Sequence, residues 1–497
     1  MTMKLSALTQ RLQVKWLAGN GDIEVTDVCS DSRKISEGCV FVCIKGANFD
    51  GHDSIDEAAE KGAAAVVTQE GLTPENLPEG IAVAETAGTR RALALMSAAW
   101  QGYPAEKIPV IGITGTKGKT TTTYMVKSIL ESAGIKTGLI GTIETIIGEE
   151  HIHATNTTPE SCVIHEYLRR MVDAGCTAAV MEVSSQALMM DRTYGIEFAI
   201  GVFTNLEPDH IGPNEHKDFE DYLHCKSLLF SQCRLGIVNA DDEHTPAILK
   251  NASCGVTTYG IENEDADVRA EGIEHLHGAG QLGVTFTARI KDGEDFPVEL
   301  TIPGRFSVYN ALAAIAICGQ FGIDVPTVQK ALKEAKVKGR IEPVKVSDSF
   351  TLLIDYAHNA MALKSLLKSL REYRPNRLVC VFGCGGNRAR SRRFEMGEAS
   401  GQLADFTIIT SDNPRFEEPQ AIIDDIKTGI DRTDGEYIEI IDRREAIKYA
   451  IDNGRPGDII VLAGKGHEDY QEICGVKHPM DERELIASIL EEEGRRE

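Results

Sequence analysis

The chain has no apolar run long enough to cross a bilayer, for which a helix needs roughly 18 or more consecutive apolar residues. Residues 1–15 also contain no apolar stretch followed by a small-residue cleavage site, so nothing there predicts export. The 497 residues show no internal repeat and no low-complexity tract. With 42% apolar and 26% charged residues, these absences favour a globular protein, and we expect it to be cytoplasmic, with no membrane partner.

Positive charge is scarce relative to negative charge. The sequence has 52 Lys and Arg residues against 76 Asp and Glu residues, which gives a formal net charge of -24. Nucleic-acid binding depends on neutralising phosphates with Lys and Arg, so this balance argues against a nucleic-acid partner. An anionic small substrate remains possible if local Arg, Lys and backbone N–H groups hold it. We expect a monomer.

The 12 cysteines do not suggest a disulfide framework, because they are scattered through a long chain without an export signal. We therefore expect reduced thiols. Three residues separate Cys39 from Cys43 and also Cys380 from Cys384, whereas zinc pairs usually have tighter spacing and occur twice. This pattern disfavours a zinc site.

Short apolar runs alternate with helical patterns from residue 110 to the C-terminus. This alternation is typical of parallel sheets with crossover helices and predicts an α/β fold. The strands are predicted at residues 110–113, 178–181, 200–203, 351–354, 378–382, 406–409 and 459–462, and two of the helices at residues 89–100 and 325–335.

The length predicts several domains, because one hydrophobic core stops growing at about 250–300 residues. One boundary is indicated at Gly102-Tyr103-Pro104, between a predicted helix and the next strand. Another is indicated near Gly339-Arg340, where a predicted helix also precedes a strand. The expected domains are residues 1–105, 106–340 and 341–497.

A glycine-rich turn, here called the phosphate loop, follows the first of these strands. It reads Thr114-Gly115-Thr116-Lys117-Gly118-Lys119-Thr120-Thr121, with a helix predicted from Lys119. Backbone N–H groups at such a helix start bind polyphosphate, Lys119 would reach the terminal phosphates, and the Thr120 hydroxyl would bind Mg²⁺. Ile113 stands where the general motif has its first glycine, so this loop is a short form. The sequence therefore predicts ATP binding.

Two further residues follow predicted strands and could complete a magnesium site. Glu182 comes directly after residues 178–181, and His210 lies in the loop after residues 200–203. Magnesium needs additional oxygen or nitrogen ligands, which strand ends can supply. Either residue alone is more often an ordinary loop residue, but the two together beside a phosphate loop favour metal binding.

Four motifs in this order resemble those of the Mur ligases of peptidoglycan synthesis. They are the phosphate loop, Glu182-Val183-Ser184-Ser185, Thr204-Asn205-Leu206 with Asp209-His210, and Asp355-Tyr356-Ala357-His358. The likeness covers nearly the whole chain. It implies three domains: an N-terminal UDP-binding α/β domain, a central P-loop ATPase domain with a mainly parallel sheet, and a C-terminal Rossmann-like domain.

The N-terminal pattern is similar to that of family members that extend UDP-N-acetylmuramoyl-L-Ala-D-Glu by a third amino acid. It consists of Asp31-Ser32-Arg33, Gly38, Phe41, Gly46 and Asp50-Gly51-His52. The resemblance implies an ATP-dependent amide ligase that forms an acyl phosphate and releases ADP and phosphate. It also implies that the UDP-muramoyl dipeptide contacts Ser30, Ser32, Ala47, Asn48, Phe49, Asn156, Thr157, Thr158, Ser184, Met190 (usually Gln in the family) and Arg192.

The resemblance assigns further roles around ATP. Lys226 matches a family lysine that CO₂ carbamylates, and a carbamate is a carboxylate-like ligand that can help hold a second Mg²⁺. Asn310, Arg340 and Asp355 match residues that contact the base and ribose, although Ser307 replaces a family Asn. The implied catalytic set is Lys119, Glu182, His210 and carbamylated Lys226, and the implied metal ligands are Thr120, Glu182, His210 and Lys226.

The added amino acid is indicated by Asp412-Asn413-Pro414-Arg415, which matches members that add meso-diaminopimelate. A guanidinium can bind the distal carboxylate of that amino acid in bidentate fashion, whereas it repels the ammonium of lysine. Arg388, Gly464 and Glu468 would complete the pocket. The loop at residues 209–216, Asn359 and Asn387 are closer to lysine-adding relatives, so L-lysine remains an alternative. A more remote alternative is a P-loop ATPase or kinase without ligase activity.

Overall fold

The computed structural model describes residues 2–46, 49–209, 211–212, 215–278, 281–492 and 494. The chain forms two compact units: unit 1 comprises Met1–Arg269 with Leu312–Thr327, and unit 2 comprises Ala270–Ala311 with Val328–Glu497. The fold is α/β with mainly parallel sheets, as the sequence predicts. Among the described residues, no helix is both long and apolar enough to span a membrane.

The first part of unit 1 is built on a small, mostly parallel sheet. Its elements are β1 (Met3–Lys4), α1 (Leu5–Leu8), β2 (Lys15–Ala18), β3 (Glu24–Val25), β4 (Val28–Cys29), β5 (Val40–Val42), α2 (Ile55–Glu60), β6 (Ala65–Gln69), β7 (Ala82–Thr86) and α3 (Thr89–Trp100). The strand order is β2-β7-β6-β5-β4, with only β2 antiparallel to its neighbour. β5 is apolar and completely buried, as expected for a parallel strand covered on both faces.

A second, larger sheet follows in unit 1. Its elements are β8 (Val110–Thr114), α4 (Lys119–Ser132), β9 (Thr137–Ile140), β10 (Glu144–Ile147), β11 (Glu150–His153), α5 (Ser161–Asp173), β12 (Ala178–Glu182), α6 (Ser185–Met189), β13 (Phe198–Phe203), α7 (Phe219–Ser227), β14 (Cys233–Asn239), α8 (Thr245–Ile248), β15 (Gly255–Gly260) and β16 (Val268–Gly278). In unit 1 the strand order is β11-β10-β9-β12-β8-β13-β14-β15-β16. The pairs from β9 to β16 are parallel, and β10 and β11 form an antiparallel edge.

This strand order places two carboxyl ends beside the phosphate loop. β8 lies between β12 and β13, with Glu182 in register with Ile113 and Phe203 in register with Thr114. In parallel α/β sheets, ligands bind in the crevice outside the carboxyl ends of the strands. The residues that end β12 and follow β13 are therefore placed next to the loop.

The segment that follows contributes residues to both units. It contains β17 (Gln281–Ile290), β18 (Phe296–Leu300), α9 (Arg305–Gly319) and α10 (Val325–Glu334). β17 and β18 pair in antiparallel fashion within unit 2. The division between the units falls within β16, α9 and α10.

The rest of unit 2 is a sheet with helices on both faces. Its elements are β19 (Glu342–Val344), β20 (Thr351–Asp355), α11 (Ala360–Arg371), β21 (Arg377–Phe382), α12 (Ser391–Leu403), β22 (Phe406–Ile409), α13 (Pro419–Ile430), β23 (Tyr437–Glu439), α14 (Arg443–Asp452), β24 (Asp458–Ala463), β25 (Tyr470–Ile473), β26 (Val476–Pro479) and α15 (Glu482–Glu492). The order is β19-β20-β24-β21-β22-β23, parallel except for β19. Val379 and Val381 enter one core while Cys380 and Phe382 enter the other, because side chains alternate along a strand.

The predicted strands are confirmed, with small differences at their ends. β12 includes Glu182 and β20 includes Asp355, one residue beyond each apolar run. The prediction followed only apolar residues, whereas these strands continue to polar residues at their carboxyl ends. The helix predicted at residues 89–100 is α3, and α10 ends one residue before its predicted end. The boundaries of the three expected domains stay a prediction.

Candidate active site

The phosphate loop has a backbone conformation that requires glycine at two positions. Gly115 has φ +148°, and a Cβ atom there would lie 1.8 Å from Oγ1 of Thr204. Gly118 has φ +85° and immediately precedes α4. Residues with a side chain rarely adopt such angles, so the two glycines let the chain turn sharply from β8 into the helix.

The segment after β13 holds this loop in place. The backbone N–H groups of Thr116 and Lys117 donate to the backbone oxygen and the side-chain oxygen of Asn205, both at 2.9 Å. Thr204 Oγ1 donates to the backbone oxygen of Lys117 at 2.7 Å. The Lys117 ammonium pairs with Glu207 at 2.6 Å. The loop is therefore fixed from outside before any phosphate binds.

Lys119 folds back over the loop that precedes it. Its Nζ donates to the backbone oxygens of Gly115 at 2.8 Å and Thr116 at 3.0 Å. This places a cation at the start of α4, where the helix dipole also favours negative charge. The arrangement suits a polyphosphate, as the sequence predicts.

The carboxylate of Glu182 fits a magnesium site. It is 1% exposed at the end of β12, and its Oε2 accepts a hydrogen bond from the Thr120 hydroxyl at 3.0 Å. Thr142 donates to the same carboxylate through its backbone N–H at 2.8 Å and its hydroxyl at 3.0 Å. Buried carboxylates need charged or hydrogen-bonding partners, and a hydroxyl beside a carboxylate is a donor set that Mg²⁺ accepts. Thr142 was not predicted from the sequence.

Lys226 is buried beneath the phosphate loop rather than solvated on its helix. It is 1% exposed, its Nζ donates to the backbone oxygen of Gly115 at 2.9 Å, and it lies 4.5 Å from the centre of the Tyr222 ring. Burial, and then the positive charge of Lys119, lower the pKa of Lys226 well below its ordinary value of 10.5. A neutral amine is thereby favoured here. His210, the other predicted metal ligand, lies outside the described residues.

Residues around α7 connect this helix to α6. His216, Asp221 and Cys225 offer donor atoms within 4.8 Å of one another. Both ring nitrogens of His216 are already engaged, with Nδ1 3.0 Å from Asp221 and Nε2 2.8 Å from Oγ of Ser185. The histidine therefore joins the start of α7 to α6.

Several residues predicted to bind the dipeptide lie beside Glu182. Thr158 Oγ1 donates to the backbone oxygen of Glu182 at 2.9 Å and accepts from the Ser184 N–H at 3.0 Å. Thr157 Oγ1 lies 3.1 Å from the Thr142 hydroxyl. Arg192 donates to the backbone oxygen of Thr158 at 2.9 Å. Fold and hydrogen bonds thus bring this predicted group together.

The other two predicted dipeptide contacts in this region differ in their surroundings. The Arg192 guanidinium lies 3.8 Å from Sδ of Met190, so Met190 stands next to a predicted ligand-binding cation. Arg192 also pairs with Glu160 at 2.6 Å. Asn156 is exposed.

The predicted UDP-muramoyl contacts near the N-terminus lie in loops of the first sheet. Ser30 directly follows β4, and Ser32 begins a single 3-10 turn that Asp31 caps by accepting from the Arg33 N–H at 3.0 Å. Phe49 is 53% exposed, so its ring can contact a ligand. Ala47 and Asn48 lie outside the described residues.

The predicted nucleotide residues belong to unit 2. Asp355 accepts the N–H groups of Ile341 at 2.9 Å and Ala357 at 2.8 Å, and burial raises the pKa of its carboxyl. The Arg340 guanidinium lies 4.9 Å from the centre of the Tyr356 ring. Asn310 is buried in α9. Tyr356 belongs to the motif at residues 355–358, but its contact with Arg340 was not predicted.

The predicted amine pocket also assembles in unit 2. Arg415 has φ +53°, and its guanidinium donates from Nε to Glu472 at 3.1 Å and from NH1 to the backbone oxygen of Gly386 at 2.7 Å. Asn413 donates to Glu468 at 2.9 Å. Gly464 lies next to Asp412, since a Cβ atom on this glycine would be 3.5 Å from Oδ2 of the aspartate. Arg388 is exposed, and it follows the Gly385-Gly386 turn that contacts Arg415.

Sequence reasoning missed four residues that organise these sites. They are Thr142, Glu207, Lys465 and Glu472. Each acts by contacting a predicted residue that is distant in the chain or on another strand. Two of them had a local indication: Lys465 lies between the predicted Gly464 and a second glycine, Gly466, and Glu207 lies within the motif at residues 204–210.

Comparison with known proteins decides the family. Three family models match: "Mur ligase family, catalytic domain" at residues 24–110, "Mur ligase middle domain" at residues 113–318, and "Mur ligase, glutamate ligase domain" at residues 339–466. A UDP-N-acetylmuramoyl-L-alanyl-D-glutamate–2,6-diaminopimelate ligase of Clostridium tetani is 42% identical over 99% of this chain and 100% of its own length. The chain belongs to the Mur ligase family.

Other relatives of this Mur ligase extend the likeness. A ligase of the same name from Caldanaerobacter subterraneus is 42% identical over 96% of this chain and 97% of its own. A solved structure that carries that name superposes with a TM-score of 0.72 at 29% identity and covers 100% of both chains. A MurF structure from Acinetobacter baumannii, with a TM-score of 0.63 at 20% identity over 99% of both chains, shares the fold. This Mur ligase is an ATP-dependent ligase, which excludes the alternative of a P-loop ATPase or kinase without ligase activity.

Proposed function

We propose that this Mur ligase joins an amine of meso-diaminopimelate to the D-Glu carboxylate of UDP-N-acetylmuramoyl-L-Ala-D-Glu and converts ATP to ADP and phosphate. The observation that carries this proposal is the full-length identity of 42% to ligases named for these substrates. Their names favour diaminopimelate over the lysine alternative. The reaction would serve peptidoglycan precursor synthesis by a cytoplasmic monomer that binds neither nucleic acid nor membrane.

The phosphate loop supports the binding of ATP, with which the reaction begins. Its backbone N–H groups and Lys119 would hold the ATP phosphates, and the two glycines let the backbone approach them closely. Glu182 and the Thr120 hydroxyl, which lie 3.0 Å apart, would hold Mg²⁺, with His210 as a further ligand. Bound Mg²⁺ neutralises the phosphate charge.

We further propose that Lys226 carries a carbamate. Burial and Lys119 lower its pKa, so its neutral Nζ can form a bond to the carbon of CO₂ and release one proton. The product is an anion next to the phosphate loop and could act as a metal ligand. Isotopically labelled bicarbonate should give a carbamate resonance in the carbon NMR spectrum of the wild-type protein and none in Lys226→Met. An equal resonance in both proteins would contradict this assignment.

The bond-forming steps depend more on close positioning of the reactants than on covalent chemistry by protein side chains. A carboxylate oxygen of D-Glu would attack the γ-phosphorus, and ADP would leave. The amine nitrogen would then attack the acyl carbon, phosphate would leave, and the amine would lose one proton. The group of Thr157, Ser184 and Arg192 beside Glu182 would hold the D-Glu end for this attack.

Arg415 is oriented to recognise the distal carboxylate of diaminopimelate. Glu472 occupies its Nε and Gly386 occupies one NH1 proton, while NH2 has no hydrogen-bond partner among the described residues. The protein therefore directs the guanidinium and leaves NH2 and one NH1 proton as donors for a carboxylate. A guanidinium held in this way can bind a carboxylate with two parallel hydrogen bonds.

The deciding experiment measures ADP release with UDP-N-acetylmuramoyl-L-Ala-D-Glu and ATP, using either meso-diaminopimelate or L-lysine. We expect kcat/KM for diaminopimelate to exceed that for lysine by about 100-fold or more. Faster turnover with lysine would contradict the proposed amino acid. No turnover with either amine would contradict the ligase reaction.

The role of Arg415 can be tested by a variant that keeps its charge. Arg415→Lys replaces the planar guanidinium, which can bind a carboxylate with two hydrogen bonds, by an ammonium. We therefore expect the KM for diaminopimelate to rise about tenfold while the KM for ATP stays the same. Arg432→Lys, an exposed site elsewhere in unit 2, is the matched control and should behave like the wild type. An unchanged KM for diaminopimelate in Arg415→Lys would count against the pocket assignment.

A further inference from the structure

A buried lysine contacts several residues of the proposed amine pocket. Lys465 is 0% exposed, and its Nζ donates to Oδ1 of Asn413 at 3.0 Å, to Oε2 of Glu468 at 2.8 Å and to the backbone oxygen of Tyr470. The same Nζ lies 3.5 Å from Oδ1 of Asp412. It thus contacts three side chains that the proposed reaction uses, although it has no assigned role of its own.

These contacts join two separate segments of unit 2. Asn413 belongs to the loop after β22, whereas Glu468 belongs to the loop after β24. The Asn413 side chain also donates to Glu468 at 2.9 Å and accepts the N–H of Glu472 at 2.9 Å. Because Lys465 contacts both segments, it fixes the spacing between the loop that carries Arg415 and the strand that carries its partner Glu472.

Lys465 also affects the charge of the pocket. Asp412 and Glu468 are both near its Nζ, and burying an ammonium is costly unless anions compensate it. Without that ammonium, two carboxylates would remain with less compensation. They would repel the distal carboxylate of diaminopimelate and attract the side-chain ammonium of lysine.

We infer that Lys465 is a positioning residue that sets both the geometry of the amine pocket and its preference for a zwitterionic over a cationic amino-acid end. This inference rests on the proposed function, because it concerns the same amine site. Lys465 acts through Asn413, Asp412 and Glu468 and does not take part in bond formation. Its effect should therefore appear in the choice and KM of the amine rather than in the use of ATP.

The test compares kcat/KM for meso-diaminopimelate and L-lysine in Lys465→Met, which keeps an unbranched side chain one atom shorter than lysine and removes the charge. We expect the KM for diaminopimelate to rise at least about tenfold and the diaminopimelate-to-lysine ratio of kcat/KM to fall at least about tenfold. The KM values for ATP and for the UDP-muramoyl dipeptide should change less than about twofold. Wild-type turnover in the same assay tests the proposed function separately.

Lys477→Met is a matched control. Lys477 is an exposed lysine on β26 whose Nζ lies 3.9 Å from the centre of the Tyr470 ring, so it contacts the same tyrosine from the surface. This control should keep wild-type KM values and the wild-type amine ratio. A loss of preference in the control equal to that in Lys465→Met would show that the pocket charge is not the cause.

Lys465→Gln guards against failure of the methionine variant to fold, since an amide is neutral but can still donate to the Tyr470 oxygen. Thermal unfolding of each variant establishes that it is folded. An unchanged ratio in a folded variant, or an equal loss of activity with both amines, would overturn the inference and leave Lys465 a structural role. Failure of both variants to fold would have the same meaning.

Discussion

The Nζ of Lys226 lies 2.9 Å from the backbone oxygen of Gly115, so α7 and the phosphate loop are joined by a hydrogen bond. Lys119 donates to the same oxygen at 2.8 Å, and two lysine side chains therefore meet at one acceptor. Burial first, and the neighbouring charge of Lys119 second, hold the pKa of Lys226 well below its ordinary value. A helix lysine that would usually be a solvated cation is therefore buried beside the phosphate loop.

The depressed pKa of Lys226 predicts a pH dependence of stability. The unfolded chain binds a proton at this lysine up to its ordinary pKa of 10.5, whereas the folded chain releases it at a lower pH. The unfolded state therefore binds more protons between these two pKa values, and stability rises with pH through that window. Lys226→Met removes this penalty and should have a higher free energy of unfolding than the wild type near pH ~7.

Urea denaturation in CO₂-free buffer measures this difference. The advantage of Lys226→Met should shrink when the pH is raised to about 10, because releasing the proton on folding costs less as the pH approaches the ordinary pKa of 10.5. Lys127→Met, on α4 and paired with Glu131 at 2.8 Å, is a control lysine outside the site. A Lys226→Met advantage that does not change with pH would contradict the prediction.

Gly115→Ala should disable the phosphate loop. The added Cβ would lie 1.8 Å from Oγ1 of Thr204, and φ of +148° is strained for alanine. We expect ADP release to be lost and the free energy of unfolding to fall by more than about 1 kcal/mol. Gly88→Ala is the matched control, since a Cβ there meets nothing within 4 Å, and it should change stability by less than about 1 kcal/mol. Normal ATP use by Gly115→Ala would show that the loop tolerates a Cβ atom beside Thr204.

Glu182→Gln should weaken the use of magnesium. The amide keeps the size of the side chain but loses the charge, and one of its positions can no longer accept from Thr120 and Thr142. A titration of ADP release with Mg²⁺ should show the half-maximal concentration raised at least about tenfold. Glu144→Gln, on β10 of the same sheet, should leave this concentration unchanged. The assignment fails if the two variants respond alike.

His165 should make the protein sensitive to acid. It is buried in α5, neither ring nitrogen has a hydrogen-bond partner among the described residues, and burial lowers its pKa from 6.5 to about 4. Below its ordinary pKa the unfolded state binds a proton that the folded state does not, so stability is lost as the pH falls from about 6.5 towards 4. From about pH 7.5 to about pH 5 this group should account for about 2 kcal/mol of lost stability.

His165→Phe should remove that part of the acid sensitivity. The free energy of unfolding, measured by urea denaturation at both pH values, should fall less in the variant than in the wild type. His151→Phe, at an exposed position on β11, should retain the wild-type difference. Equal pH dependence of the wild type and His165→Phe would show that the ring is protonated in the folded state.

Local sequence patterns were sufficient for the elements of the sheets. The strands around Val180 and Val381 are apolar because they are covered on both faces, and this composition is visible without a structure. The glycines of the phosphate loop are likewise visible in the sequence, because the turn at residues 114–121 needs positive φ angles at Gly115 and Gly118. Glu182 and Asp355 fall one residue beyond the predicted strands because apolar runs alone define those predictions.

The α/β class, the phosphate loop and the family resemblance follow from the amino-acid sequence alone, since each depends on residues close together in the chain or on motifs in a fixed order. In contrast, the burial of Lys226 against Gly115, 111 positions away, and the link that Lys465 makes between Asn413 and Glu468 arise only in the folded chain. Helix and strand periodicity describe which face of an element is apolar, but not which element covers that face. The packing of helices and loops on the sheets settles that question, and with it the burial of Lys226 and the contacts of Lys465.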